Sequence, residues 1–223
     1  MIHAVVVAGG KGLRMGTNTP KQFLSIHGEI VLVHTLRQFY EAFPELHLCV
    51  VLPAEAIEET REQLAVLGKS ADQLQLVQGG ETRFDSVKNG LNALRGEGWV
   101  LVHDGVRPLA NAQFLQYCLQ QAQAHGSAIP VVPVKDSIRW VDADGSRVLD
   151  RSKVMAVQTP QVFPLQTLQQ AFDTPFQANF TDEATVYESF GQKVHLVEGL
   201  HENIKITTPE DLFLAEFWLK NRG

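Results

Sequence analysis

Cysteine is scarce. The chain has two, Cys49 and Cys118, each in an apolar stretch and far apart in sequence. That spacing excludes a disulfide framework and any C-x-x-C motif, and it points to reduced, buried thiols as in a cytoplasmic protein. Long apolar runs are also missing, and none approaches the roughly 18 residues of a membrane span. No basic stretch with a cleavage site precedes the first apolar run, so neither export nor a membrane partner is expected. Positive charge is in deficit: 19 Lys and Arg stand against 25 Asp and Glu, for a net charge of −6. The overall field therefore does not attract a nucleic acid, and any local cluster of cations stands out. H-E-x-x-H and G-x-S-x-G are missing too, which removes the zinc-protease and serine-hydrolase readings those motifs carry.

What the chain has is the makings of one soluble domain. Its 223 residues are 44% hydrophobic and 20% charged, enough for a sizeable core. The first apolar run, Ala4 to Val7, is rich in β-branched residues and reads as a strand buried on both faces. It stops at Gly9, Gly10, Gly12 and Gly16, interleaved with Lys11 and Arg14 and followed by Pro20-Lys21-Gln22-Phe23. Glycines that expose backbone N–H groups among cations make a cradle for a polyphosphate. The dinucleotide fingerprint G-x-G-x-x-G fails, because its third glycine would have to stand at 15 rather than 16. The P-loop pattern G-x-x-x-x-G-K-[ST] fails as well, since no glycine of the loop is followed by Lys-Ser or Lys-Thr at that spacing. A plain strand-to-helix connection is the competing reading. The loop resembles the signature loop of sugar-phosphate nucleotidyltransferases.

Strands and helices then alternate. A helix is expected over Ile30–Tyr40, a strand over Leu46–Pro53, a helix over Ala54–Leu67 ending at Gly68, and a strand over Leu74–Val77. A helix opens at Thr82, a strand runs from Trp99 to Asp104, and a helix spans Asn111–Ala124. This rhythm predicts right-handed βαβ units and a parallel sheet, with ligands at the carboxyl ends of its strands. The segment Ala128–Val134 is extended, but its two prolines argue against a central strand. Ser137–Val141 and Arg147–Leu149 flank Asp142-Ala143-Asp144-Gly145, a hairpin signal. Such a ribbon is marginal alone, and another copy of the chain is a candidate for what it packs on. From Val154 the pattern resumes with a strand to about Val162, helices near Leu165–Phe172 and Asp182–Phe190, a strand Val194–Val197 and a final helix Pro209–Leu219. The expectation is a single domain over residues 1–223 with a projecting β-arm at about 136–152.

Three further segments carry chemistry. In Gly79-Gly80-Glu81-Thr82-Arg83-Phe84-Asp85-Ser86, Thr82 with Asp85 reads as a capping box, and a functional reading adds Gly80 and Ser86 at the nucleobase end of a cleft. Asp104 ends a buried strand, where it could hold Mg²⁺ on a triphosphate or simply cap the next turn. Lys205, between Ile204 and Ile206, needs a partner, and either a bound phosphate or a carboxylate of the chain would serve. Cations gathered around one acid suit phosphate chemistry better than glycoside hydrolysis, which needs paired carboxylates.

With Val102-His103-Asp104 and Arg107-Pro108, Gln158-Thr159-Pro160-Gln161, Thr181-Asp182-Glu183-Ala184 and Glu202-Asn203-Ile204-Lys205 added, nearly the whole chain resembles the 2-C-methyl-D-erythritol 4-phosphate cytidylyltransferase family. The resemblance implies an α/β, Rossmann-like and mostly parallel nucleotidyltransferase sheet, Mg²⁺ as cofactor, CTP as donor, and a homodimer joined through the β-arm. It implies that Ala8, Gly9, Gly10, Gly12, Gly80 and Ser86 bind the nucleotide. Arg14 and Lys21 would stabilise the reacting phosphates, with Asp104 serving metal and substrate and Lys205 completing the catalytic set. Arg107, Thr181 and Lys205 would contact methylerythritol phosphate, and Arg151 and Thr159 would reach the neighbouring subunit's site. Gly105, often alanine in the family, and Ser137, usually threonine, are departures. Ribitol-5-phosphate cytidylyltransferase, a sister family, and a non-catalytic nucleotide-binding module on the same fold stay open as alternatives.

Overall fold

The computed structural model describes residues 1–10 and 19–221. Strand β1 (Ile2–Val7) is followed by a 3-10 turn at Lys21–Phe23, a hairpin of β2 (Ser25–Ile26) and β3 (Glu29–Ile30), and helix α1 (Val31–Ala42). Then come β4 (His47–Leu52), α2 (Ile57–Leu64), β5 (Leu74–Gln78), α3 (Arg83–Ala93), β6 (Trp99–Asp104) and α4 (Ala112–His125). The second half holds β7 (Ile129–Pro133), β8 (Ile138–Asp142), β9 (Gly145–Leu149), β10 (Met155–Val157), β11 (Gln161–Pro164), α5 (Leu165–Ala171), α6 (Glu183–Ser189), β12 (Leu196–Glu198) and α7 (Pro209–Asn221).

The main sheet has the order β11-β6-β1-β4-β5. Its β1, β4, β5 and β6 run parallel, and β11 pairs antiparallel with β6 at the edge. Apolar runs without alternation produce this sheet because helices cover both faces. Ala4 and Val6 pack toward α1 and α4, whereas Val5 packs toward α3 and α5. Gly90 lets α3 sit close, since a Cβ there would meet Val5 Cγ1 at 2.6 Å and Val51 Cγ2 at 2.9 Å. From β1 the chain winds to β4 and β5 on one side and returns to β6 on the other. That reversal opens a crevice beyond the carboxyl ends of β1 and β6.

Two expectations are corrected. The single strand expected from Val154 to Val162 is two strands in two sheets: β10 pairs with β7, and β11 with β6. Gln158-Thr159-Pro160 breaks the run, with a cis Thr159–Pro160 bond. The Pro-containing β7 is the middle strand of a small sheet, β10-β7-β12. Each proline is paired on one side only. Pro130 is in register with Val197 of β12, and on its other side it lies opposite Gln158, one residue past β10, where only its carbonyl is used. Pro133 pairs with Met155 at the end of the β10 ladder, beyond Val131 where the β12 register ends. The β2–β3 hairpin went unforeseen, because two-residue strands are too short to show alternation.

The β8–β9 hairpin forms as expected, with a two-residue connection at Ala143-Asp144, and it is a sheet of its own. Helix α7 closes a third small core with Ile26, Val31, Val106, Leu109 and Ile206 beneath the crevice. Among the described residues no helix is long and apolar enough to cross a membrane.

Candidate active site

The crevice is lined by the strand ends that the βαβ pattern points to. Val7, Ala8, Gly9 and Gly10 come from β1, Asp104 from β6, and Gly80, Thr82, Arg83 and Ser86 from the turn into α3. Lys21 and Lys205 complete it. The backbone ladder extends one residue past each strand: Ala8 N–H donates to Val51 O at 2.8 Å, and Gly105 N–H to Val7 O at 2.9 Å. Gln22, buried behind the turn at Lys21–Phe23, donates to Ala8 O at 2.7 Å and Gly10 O at 3.1 Å. It fastens the start of the glycine loop to the turn that carries Lys21. Lys11, Gly12, Arg14 and Gly16 lie outside the described residues.

Asp104 is the electrostatic centre. It is 7% exposed, and three cations reach its carboxylate. Lys205 Nζ lies 3.1 Å from Oδ2, Arg107 Nε 3.2 Å from Oδ2, and Arg83 Nη2 3.5 Å from Oδ1. Burial alone would raise the pKa of Asp104, but Arg83, Lys205 and Arg107 overcome it and hold the carboxyl well below the usual carboxylate range. The partner that Lys205 needed is thus a carboxylate of its own chain. Lys205 stays 42% exposed at its side chain, facing the crevice. Its placement follows from the Ile206 N–H bond to Val106 O, 3.0 Å, two residues beyond Asp104. Lys21 Nζ donates to Ile206 O at 2.8 Å, which draws the second lysine to the same strip of backbone.

Behind Asp104 the buried groups pair with one another, except for Asn203 Oδ1, which has no hydrogen-bond partner among the described residues. His103 is fully buried, and burial pushes its pKa down to about 4, so the ring is neutral. Its Nε2 lies 3.2 Å from Arg107 O, and a carbonyl only accepts, so Nε2 carries the proton. Nδ1 is then an acceptor, and the Thr159 hydroxyl donates to it at 3.1 Å while accepting the Asp104 N–H at 3.1 Å. Thr159 is therefore buried against its own chain's Asp104 and His103. Arg107 is 8% exposed and spends its guanidinium on Asp104 and on Asn203 O, at 2.8 Å for the latter. Asn203, also buried, donates to Thr159 O at 2.8 Å. The Glu202–Thr207 segment, singled out for Lys205, thus also supports the far side of the site.

The turn into α3 is built by its caps. Thr82 and Asp85 form the expected capping box, and Gly80 N–H donates to Ser86 Oγ at 3.1 Å. A Cβ at Gly80 would come within 2.2 Å of Asp85 Cβ, so this close turn admits only glycine. Sequence reasoning passed over two residues here. Arg83 pairs through both Nη groups with Glu183, the first residue of α6, and Glu183 is completely buried. Each lies within a motif, yet nothing local joins residues 100 positions apart.

The other predicted residues stand away from the crevice lining. Thr181 is exposed just before α6, its N–H on Thr185 Oγ1 at 3.2 Å. Arg151 is exposed at the foot of the β8–β9 hairpin and donates to Lys135 O at 2.5 Å. Among the described residues, no three His, Cys, Asp or Glu side chains converge to hold a metal.

Such a crevice, with glycine backbone on one wall, the capped start of α3 on another and lysines beside one buried acid, can take two phosphorylated ligands and align them. Known proteins agree with that chemistry. The family model described as 2-C-methyl-D-erythritol 4-phosphate cytidylyltransferase matches residues 2–221. The protein of that name from Bacteroides thetaiotaomicron is 46% identical over 208 residues, 93% of this chain and 94% of its own. Its counterpart from Phocaeicola vulgatus is 44% identical over 214 residues, 96% and 97% of the two chains. Among solved structures, 4-diphosphocytidyl-2C-methyl-D-erythritol synthase from Anaerococcus prevotii superposes with a TM-score of 0.81 at 29% identity, covering 99% of this chain and 96% of that one. The Thermus thermophilus cytidylyltransferase gives 0.75 at 30% identity, covering 97% and 98%. The chain belongs to the 2-C-methyl-D-erythritol 4-phosphate cytidylyltransferase family.

Proposed function

We propose that this chain transfers the cytidylyl group of CTP to 2-C-methyl-D-erythritol 4-phosphate, giving 4-diphosphocytidyl-2-C-methyl-D-erythritol and pyrophosphate, a step in isoprenoid precursor synthesis. The observation that carries the reading is the crevice at the β1–β6 reversal, where Lys21 and Lys205 face a cleft floored by Asp104. A phosphate oxygen of the alditol phosphate attacks the α-phosphorus of CTP in line. The bond from that phosphorus to the bridging β-oxygen breaks, and pyrophosphate leaves. The protein supplies no nucleophile. It aligns two polyanions and neutralises the charge that grows in the transition state.

In this reading Lys21 and Arg14 stabilise the reacting phosphates, and backbone groups from Ala8 to Gly10 with Gly80 and Ser86 hold the nucleotide. Lys205, Arg107 and Thr181 serve the alditol phosphate. Two of these act from different distances. Lys205 borders the crevice, whereas Arg107 is engaged behind Asp104, so Arg107 works through the carboxylate it orients.

Magnesium fits the donor set in one form only. With no cage of three ligands among the described residues, Asp104 would share the ion with phosphate oxygens and water, as is usual for this hard cation. Bound there, it would neutralise triphosphate charge. Asp104→Asn should then raise the Mg²⁺ concentration giving half-maximal rate. An unchanged titration would leave Asp104 only its ion pairs.

The β8–β9 arm supports a homodimer. Trp140 is 49% exposed, Val141 73% and Val148 70%, on a ribbon with no core of its own. Arg151 at its foot would serve a neighbour's site. The two buried, unpaired cysteines suit a cytoplasmic enzyme.

The test is pyrophosphate release from CTP with methylerythritol phosphate, with ribitol 5-phosphate and with neither, the product identified by mass. Release with the first alone is expected. Preferential use of ribitol 5-phosphate would reassign the substrate, and CTP binding without turnover would leave a nucleotide-binding module.

A further inference from the structure

Glu183 is an expensive residue to place where it is. An ionised carboxylate with no exposed surface costs folding energy unless it is paired and hydrogen-bonded, and an apolar side chain would fill the space at less cost. Both its oxygens go to Arg83. Arg83 is not itself buried out of reach: its side chain is one-third exposed, lines the crevice, and reaches Asp104 Oδ1 at 3.5 Å. Each member of the pair is the first residue of a helix, α3 or α6, behind a capped Thr82 or Asp182. Three charges therefore run in series from the interior to the crevice: Glu183, Arg83, Asp104.

We propose that Glu183 is a positioning residue for the transfer reaction. It grips the guanidinium fork of Arg83 so that the outer edge of that fork is held against Asp104. The carboxylate of Asp104 is thereby fixed from the Oδ1 side, opposite Lys205 and Arg107 on Oδ2. Without the grip, the Arg83 charge is free to swing toward incoming phosphate, and Asp104 loses one of its three fixed neighbours. The nucleotide turn does not depend on the grip, since the Thr82–Asp85 box and the Gly80–Ser86 bond hold it independently. This inference rests on the cytidylyl-transfer reading above.

Glu183→Gln is nearly isosteric, keeps a hydrogen bond to Arg83 and removes the charge. Arg83→Lys keeps a charge near Asp104 but cannot form the fork. Each is expected to lower kcat by about tenfold, the scale of a coupling within one ion-pair network. For Glu183→Gln the affinity for CTP, measured by calorimetry, should stay within about twofold, because Glu183 is buried behind the lining and takes no part in the Thr82–Asp85 box or the Gly80–Ser86 bond. The variant combining Glu183→Gln with Arg83→Lys should be no worse than Arg83→Lys alone, since one residue acts through the other. Wild-type kcat in either folded single variant would overturn the proposal, as would additive losses in the combined one. Loss of activity that merely follows loss of folded protein in both singles would reduce the pair to a staple between α3 and α6. If the wild type releases no alditol-dependent pyrophosphate, the functional reading falls and this inference with it. If the wild type turns over and the variants match it, the inference alone falls.

Discussion

At the end of β6, one buried carboxylate is shared by three cations of its own chain, whereas the β8–β9 hairpin leaves Trp140, Val141 and Val148 in solvent. The first region is finished within the chain. Its charges are paired, its histidine tautomer is fixed, and its backbone ends are tied by Gln22 and Thr159. The second is unfinished, a two-stranded ribbon of a kind that rarely holds its shape alone. The contrast separates two tasks in the proposed reading: the crevice would be organised for polyanions before they arrive, and the arm for a second copy of the chain. Breaking the first should change chemistry with little effect on association, and breaking the second should do the reverse.

The largest expected effect is at the crevice. Lys21→Ala should lower kcat by on the order of 100-fold or more, because its charge is worth most as negative charge builds up on the phosphates. Arg14→Ala should behave alike. Steady-state kinetics decide the point, and a rise in KM alone would move either residue to ground-state binding.

The next effect joins the two regions. Lys21→Ala protein and Arg151→Ala protein, dissociated and reassociated together, should recover roughly a quarter of wild-type activity if Arg151 serves the neighbour. Half the dimers would be mixed, and one of the two sites in each would be intact. No recovery with mixed dimers present would return Arg151 to its own chain.

A smaller effect lies behind Asp104. The pKa of His103 is depressed by burial from 6.5 to about 4. The unfolded chain binds the extra proton first, so the stability His103 contributes is present above pH 6.5 and is lost as pH falls toward 4. By linkage the loss approaches about 3 kcal/mol at the acid end. Urea titrations at successive pH values should show it, and His103→Gln should flatten the slope by about one proton. An unchanged slope would place the titration elsewhere.

The smallest effect on the single chain belongs to the arm. Trp140→Ser should change unfolding stability by no more than about 0.5 kcal/mol, as for an exposed side chain, while weakening self-association in sedimentation. A large loss of stability with intact association would mean that the arm packs on its own chain.

The sequence made one of these regions legible in outline and the other almost completely. The arm follows from local chemistry alone, a short connection with an Asp-Gly pair between alternating segments. The crevice was legible where a strand ends on a marker, as at Gly9 or Asp104, because parallel sheets put ligands there. It was illegible where long-range contacts decide. Lys205 announced that it needed a partner, but only folding shows that the partner is Asp104. Glu183 and Arg83, and Thr159 and His103, meet across the sheet edge with no periodicity to betray them. The break of Val154–Val162 into two strands had a signal in Pro160, since proline interrupts a ladder.

The central claim is that paired cations align two polyanions and the chain itself never bonds to the nucleotide. The stereochemistry at the α-phosphorus tests it most directly. With a single diastereomer of CTP carrying sulfur on that phosphorus, one in-line displacement gives a product of inverted configuration. Retention would require two displacements, through a nucleotide covalently held by a side chain, and would contradict a site built only to position and neutralise.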